Sequence, residues 1–295
     1  IEWANGDPAT SNWAKMRAEA GHPAPFNLKY IGIGNEDLIS TVFEERYQMI
    51  CKTIKAKYPN MIICGTAGPF HEPSADYTEG WKFAKANQNI IDMVDEHYYE
   101  SPGWFMHHQD YYDNYDRTAP KVYLGEWASR SNTHENALVE AMYLCGLERN
   151  GDVVSMSSYA PLLCREGYAN WNPDMIYFNG DSITTLTPSY HTQRLWGTYC
   201  GDQYVESSID IQDNLRYRVA ASVIRDSKKG KTYLKLVNAL PSRLTLTVKG
   251  LELLPGATYE EFSGQVYDKN VNIVKGTIND TDITLSPYTV RIIEL

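Results

Sequence analysis

Two glutamates occupy positions from which a carboxylate would meet a substrate rather than bulk water. Glu36 closes the stretch Tyr30-Ile31-Gly32-Ile33-Gly34-Asn35-Glu36, and Glu126 follows Lys121-Val122-Tyr123-Leu124-Gly125. In each case a short apolar run that reads as a strand ends in a glycine-containing turn, and the acid sits just beyond it. Asn35 puts a carboxamide next to Glu36, suited to bonding a hydroxyl while the carboxyl transfers a proton. Cleavage of a glycosidic bond uses such a pair. One carboxyl protonates the leaving oxygen, and the other attacks the anomeric carbon or activates water. A lone glutamate after a strand is as readily a helix-cap neighbour or a surface ion pair. Two of them in the same context, ninety positions apart, are far more specific. Between them lies His97-Tyr98-Tyr99. Residues 97 and 99 share one face of a strand, so His97 and Tyr99 point the same way. A Tyr99 hydroxyl donating to Glu126 would hold that carboxylate ionised and oriented.

The surrounding pattern says what must position these groups. Lys29–Ile33, Met61–Cys64, Ile90–Val94, Lys121–Leu124 and Val153–Ala160 read as short, nearly all-apolar strands. Helical periodicity falls between them at Phe43–Tyr58, near Trp81–Ala86, and at Asn136–Asn150. Buried strands alternating with helices at about 30-residue spacing make parallel βα units. Polar residues recur at strand C-terminal ends, which favours a (β/α)8-type barrel over a doubly wound sheet. Only five strands are countable, so the chain is expected to lack the barrel's first strands, with an upstream portion missing. From Asp202 onward the pattern changes to alternating β-rich runs separated by Gly, Pro, Asn and Asp. This is the pattern of an antiparallel β-sandwich. The expected division is a partial barrel at 1–202 and a sandwich at 203–295. The neighbouring Glu260 and Glu261 are expected on a solvated face, without a part in chemistry.

Three motifs carry a resemblance. KYIGIGNE, DEHYY and YLGEWAS, in this order and spacing, resemble glycoside hydrolase family 51, the α-L-arabinofuranosidases. GHPAPFNLKYIGIGNE and NWNPDMIYFNGDSITTLTPSYHTQRL are similar to segments of the same family, and the likeness covers essentially the whole chain. It implies a (β/α)8 barrel with a C-terminal sandwich and a retaining mechanism. It further implies Glu36 as acid/base, Asn35 as a sugar ligand, Glu126 as nucleophile, and Tyr99 or Tyr98 as the tyrosine contacting that nucleophile. His97 and Trp127 are added as substrate-binding candidates. A further polar contact of the family falls near Asn172–Asp174. The expected activity is release of terminal arabinofuranosyl residues from arabinose-containing plant polysaccharides. The alternatives are another two-carboxylate barrel glycosidase of endo-glucanase or xylanase type, and an inactive carbohydrate-binding fragment.

Composition sets outer bounds. A net charge of −10 over 295 residues argues against a nucleic-acid partner. No run approaches the ~20 apolar residues of a membrane helix. With 22 Tyr and 7 Trp, aromatic faces for sugar stacking abound, although composition alone equally fits a packed core. The five cysteines, Cys51, Cys64, Cys145, Cys164 and Cys200, show no metal-ligand spacing. No metal or cofactor is expected, and the thiols read as free and buried. A secreted or periplasmic location is favoured over the cytoplasm. Asn279-Asp280-Thr281 matches a glycosylation acceptor triplet.

Overall fold

The computed structural model describes residues 1–295 apart from Leu254, Asn279 and Thr281. Asn279 and Thr281 of the acceptor triplet therefore lie outside the described residues. The chain divides into two compact units, Ile1–Glu96 with Thr118–Tyr123, and His97–Arg117 with Leu124–Leu295. The expected boundary after residue 202 falls inside the second unit.

The first unit opens with helices α1 (Glu2–Asn5) and α2 (Asn12–Glu19), then β1 (Tyr30–Gly32), α3 (Thr41–Lys57), β2 (Ile62–Thr66) and α4 (Ala75–Ala86). It also holds the first residues of β3 (Met93–Glu100) and, after helix α5 (Pro102–His107), of β4 (Lys121–Ser129). Arg17 organises the N-terminal segment. It is fully buried, and its guanidinium donates to the carbonyls of Trp3, Ala4, Gly6, His22 and Pro23. All five hydrogen-bond donors of the buried charge are thereby used. Ser40 and Ser74 cap α3 and α4 through their hydroxyls. Helix α3 stops at Tyr58 because Pro59 follows. β1 pairs in parallel with β2, and β2 with β3. Asp92 ties the layers, accepting from the Ile63 amide and from Lys55, both at 2.7 Å.

The second unit continues β3 and β4 and adds α6 (His134–Arg149) and β5 (Val154–Tyr159). The parallel sheet runs in sequence order, β1-β2-β3-β4-β5. Helix α6 is buried along almost its whole length, from His134 to Leu147. It packs against α5, α7 (Pro188–Thr198), β10 (Val219–Asp226) and β11 (Lys231–Asn238). A helix so enclosed is largely apolar: Ala137, Leu138, Val139, Ala141, Met142 and Leu144 are buried, beside the buried polar His134, Asn136 and Glu140. Between β5 and α7 lies a small sheet that the apolar pattern did not reveal, β6 (Leu163–Arg165), β7 (Ile176–Asn179) and β8 (Ser182–Leu186).

Beyond α7 come β9 (Gln203–Tyr204), a 3-10 turn at Asp213–Arg218, β10, β11, β12 (Leu244–Thr247), β13 (Ala257–Ser263), β14 (Val274–Ile278), β15 (Asp282–Leu285) and β16 (Thr289–Glu294). They form a six-stranded sheet, β14-β13-β16-β11-β10-β9, and a two-stranded one, β12-β15, with antiparallel pairing. Val223, Leu234, Leu236 and Ile293 of the larger sheet share a core with Ile283 and Leu285 of the smaller. The carboxylate pair of β13 is not on a solvated face. Glu260 is buried and bonds Arg194 at 2.8 Å and Lys275 at 2.7 Å. Burial alone would raise its pKa, but hydrogen bonds from Lys275, Arg194 and Tyr199 outweigh this and bring it to about 2. Glu261 pairs with Arg291 at 2.6 Å.

Candidate active site

The first unit presents Asn35 and Glu36 in a turn just past β1. Gly34 has φ +87°, and a Cβ there would collide with the Asp37 carboxylate, so the turn requires glycine. The Asn35 amide donates to Asp37 Oδ2 at 2.8 Å. Glu36 itself has φ +53°, a left-handed conformation uncommon outside glycine. Both Asn35 and Glu36 are exposed. A non-glycine residue held in this region at a strand end is a form of strain that clusters at functional positions.

In the second unit, β3 and β4 lie side by side, the Arg130 amide donating to the Glu100 carbonyl at 2.8 Å. Glu126 projects from β4 with its side chain about a third exposed (34%). The Tyr99 hydroxyl donates to Glu126 Oε2 at 2.8 Å. His97 Nδ1 lies 3.8 Å from the same oxygen and is almost fully enclosed. The alternation of β3 thus brings His97 and Tyr99 to one carboxylate. Arg130 Nε donates to the Tyr99 carbonyl at 2.7 Å, which fixes the backbone that carries the hydroxyl. Imidazole and carboxylate are donor types that a divalent cation also accepts.

The structure does not bring Tyr98 or Trp127 to this carboxylate. Tyr98 points to the opposite face of β3, where its hydroxyl bonds those of Tyr112 at 2.9 Å and Tyr143 at 2.6 Å. Trp127 is wholly enclosed among Phe105, Tyr143 and Tyr159, with its indole N–H donating to Ser157 Oγ at 2.8 Å. Neither ring has a free face for a sugar, and both serve the core. Strand alternation explains this. If Glu126 faces the site, its neighbour faces away, and the same holds for Tyr98 beside His97 and Tyr99.

Two nearby residues went unread in the sequence. Trp171 stands edge-on to Tyr99, centroids 5.1 Å apart at 69°, and remains 46% exposed. Arg130 lies just past the GEWAS motif, so adjacency was its only signal. The segment Asn172–Asp174 splits. Asn172 is exposed, whereas Asp174 is 2% exposed with its pKa raised by burial.

Behind Tyr99 a small core of Ala128, Tyr159 and Met175 packs its ring. Close to Tyr159 is Glu140 of α6, completely buried, accepting from the Ser129 amide at 3.1 Å. Desolvation raises its pKa to about 8, which favours the protonated, neutral form.

Residues 107–284 match the family model described as the alpha-L-arabinofuranosidase C-terminal domain, and residues 1–117 match the alpha-L-arabinofuranosidase 1 domain. The chain belongs to the α-L-arabinofuranosidase family. An extracellular exo-alpha-L-arabinofuranosidase of Streptomyces chartreusis is 44% identical over 207 residues, which is 70% of this chain and 24% of that protein. Alpha-L-arabinofuranosidase 1 of Arabidopsis thaliana is 34% identical over 247 residues, 80% of this chain and 33% of the other. A solved arabinose-bound family-51 α-L-arabinofuranosidase superposes with a TM-score of 0.84 at 26% identity, over all of this chain and 49% of that one. The Thermotoga maritima α-L-arabinofuranosidase, at 18% identity and TM-score 0.76, shares the fold over 100% of this chain and 71% of its own. As an arabinofuranosidase-family chain, the protein carries in β1–β5 part of a (β/α) barrel. It spans between 24% and 39% of the length of the curated arabinofuranosidases it matches.

Proposed function

We propose that the protein acts as a retaining exo-glycosidase, releasing terminal α-L-arabinofuranosyl residues from arabinose-containing plant polysaccharides or oligosaccharides. Glu126 is the nucleophile and Glu36 the acid/base. In the first step a Glu126 oxygen attacks the anomeric carbon while Glu36 gives its proton to the departing glycosidic oxygen. In the second, Glu36 takes a proton from water, whose oxygen displaces Glu126 from the same carbon. Two inversions leave the configuration retained. Retention needs the carboxyl groups about 5–5.5 Å apart, inversion about 6.5–9.5 Å. No metal is needed in either step.

The observation that carries this reading is the grip on Glu126. A carboxylate that must attack rather than take up a proton needs a donor aimed at it, and the Tyr99 hydroxyl supplies one at 2.8 Å, with His97 at 3.8 Å beyond. Asn35, beside the acid/base, is assigned to a sugar hydroxyl. Residues 1–202 are assigned to the barrel and 203–295 to a sandwich. We also infer secretion, because the Streptomyces chartreusis relative is named extracellular.

The test is release of an aryl aglycone from an α-L-arabinofuranoside, against xyloside and glucoside analogues. Preference for the arabinofuranoside by at least about tenfold in kcat/KM (about 1.4 kcal/mol) is expected. Equal or better turnover of the xyloside or glucoside would overturn the assignment.

A further inference from the structure

A second polar cleft of about 330 Å³ opens within the same unit as Glu126. Its walls come from four places in the chain. Ser131 and Asn132 follow β4, Asn172 follows Trp171, Tyr177 and Thr185 belong to the small sheet β6-β7-β8, and Lys269 comes from the turn after β13. The volume is at the lower end for ligand sites and suits one or two sugar rings.

Three features mark it as a binding site. Asn132 Nδ2 donates to the Tyr177 hydroxyl at 2.6 Å, while its Oδ1 is buried with no partner among the described residues. An unsatisfied buried acceptor is costly, and a ligand hydroxyl would satisfy it. Ser131, immediately before, has φ +120°, a strained value for a residue with a Cβ. The surrounding tertiary structure holds that conformation, and with it the direction in which Asn132 leaves the strand. The lining also mixes amide, hydroxyl and aromatic groups with one acid, Glu166, and one base, Lys269. Such a surface matches a neutral polyhydroxylated ring better than an anion or an apolar molecule.

The cleft adjoins the nucleophile without containing it. Ser131 follows Arg130, which holds the Tyr99 carbonyl, and Asn172 follows Trp171, which packs on the Tyr99 ring. Successive Cα atoms are ~3.8 Å apart, so the cleft begins within a sugar ring's width of the residues around Tyr99. We propose that this cleft is a subsite for the leaving-group side of the substrate, holding a neutral sugar unit of the chain from which the terminal residue is cut. Trp171, edge-on to Tyr99 and half exposed, forms the platform between the two sites. The proposal rests on the glycosidase reading above and adds where the rest of the carbohydrate lies.

Binding in a protein carrying Glu126→Gln, which holds sugar without cleaving it, provides the test. Calorimetric titrations compare arabinose with a linear arabinofuranosyl trisaccharide. The trisaccharide should bind at least tenfold more tightly than the monosaccharide. Thr185→Trp, which fills the cleft, should weaken the trisaccharide about tenfold, and Lys269→Ala, at an exposed position and harmless to folding, about threefold. Arabinose affinity should move less than twofold in both. Equal affinities for the two sugars, parallel losses for both, or no loss for the trisaccharide in either variant would overturn the proposal. Hydrolysis of an aryl arabinofuranoside by the unsubstituted protein tests the glycosidase reading separately. Absence of hydrolysis together with the expected trisaccharide pattern would support the cleft while removing that reading.

Discussion

Replacing Tyr99 by Phe removes one oxygen, and the consequence can be sized from the geometry. The hydroxyl donates to Glu126 Oε2 at 2.8 Å, within the usual range for an O–H···O hydrogen bond. Hydrogen bonds to charged groups contribute about 1.5–3 kcal/mol. The Glu126 side chain is 34% exposed, so water will replace part of the lost bond, and the lower end of that range applies. About 1.5 kcal/mol corresponds to roughly a tenfold loss in kcat/KM. Because Tyr99 positions the nucleophile, the loss should fall mainly on kcat. The ring packing against Trp171 and the Ala128–Met175 cluster is kept, so Tm should change by less than about 2 °C. Tyr98→Phe is the matched control. It removes a hydroxyl of the same type from the opposite face of the same strand, where it bonds Tyr112 and Tyr143. That variant should lose about 1 kcal/mol of stability, some 2–4 °C in Tm, with kcat/KM within twofold. The assay is hydrolysis of an aryl arabinofuranoside alongside thermal melts. A Tyr99→Phe variant as active as the parent, or the opposite assignment of rate and stability between the two tyrosines, would refute the reasoning.

Further outcomes follow from buried groups. Glu140 has its pKa raised to about 8 by burial, against an ordinary value of 4.5. The folded state therefore retains a proton that the unfolded state has lost, and stability drains away as pH rises between about 4.5 and 8. Glu140→Gln removes that term, so the Tm difference, variant minus parent, should grow steadily from pH 5 to pH 8 and would be flat if the carboxyl were ionised throughout. Among the five cysteines, Cys51, Cys64, Cys145 and Cys164 are buried and Cys200 is exposed, all five free. A chromogenic disulfide reagent should titrate one thiol per chain in the native state, and Cys200→Ser should abolish the signal. The double displacement uses carboxylates alone, so incubation with a chelator should leave hydrolysis within experimental error, whereas loss restored by a divalent ion would bring a metal into the mechanism.

What the sequence revealed and what it hid follow from how many neighbours a feature needs. The five parallel strands were readable because buried strands are continuous apolar runs, and the turns after β1 and β4 were readable because glycine marks them. Tyr98 and Trp127 each adjoin a residue that faces Glu126 or is Glu126 itself, and the period-two rule already sends them to the core. The sheet β6-β7-β8 escaped because its strands are short and largely exposed, so neither alternation nor a long apolar run marks them. Glu260 escaped because nothing in the run Tyr259-Glu260-Glu261 announces Arg194, 66 positions away. Trp171 gained its position only once the chain had brought the segment after β6 against Tyr99.

The most direct measurement concerns the covalent intermediate. In a Glu36→Ala variant supplied with an aryl arabinofuranoside whose leaving group needs no proton, the first displacement should proceed and the second should stall. Quenching with acid and digesting the protein should then place one pentosyl adduct on the peptide containing Glu126. Azide should discharge it to an arabinosyl azide of retained configuration. An adduct on another residue, or a first-formed sugar of inverted configuration from the parent enzyme, would contradict the assignment of Glu126 as nucleophile.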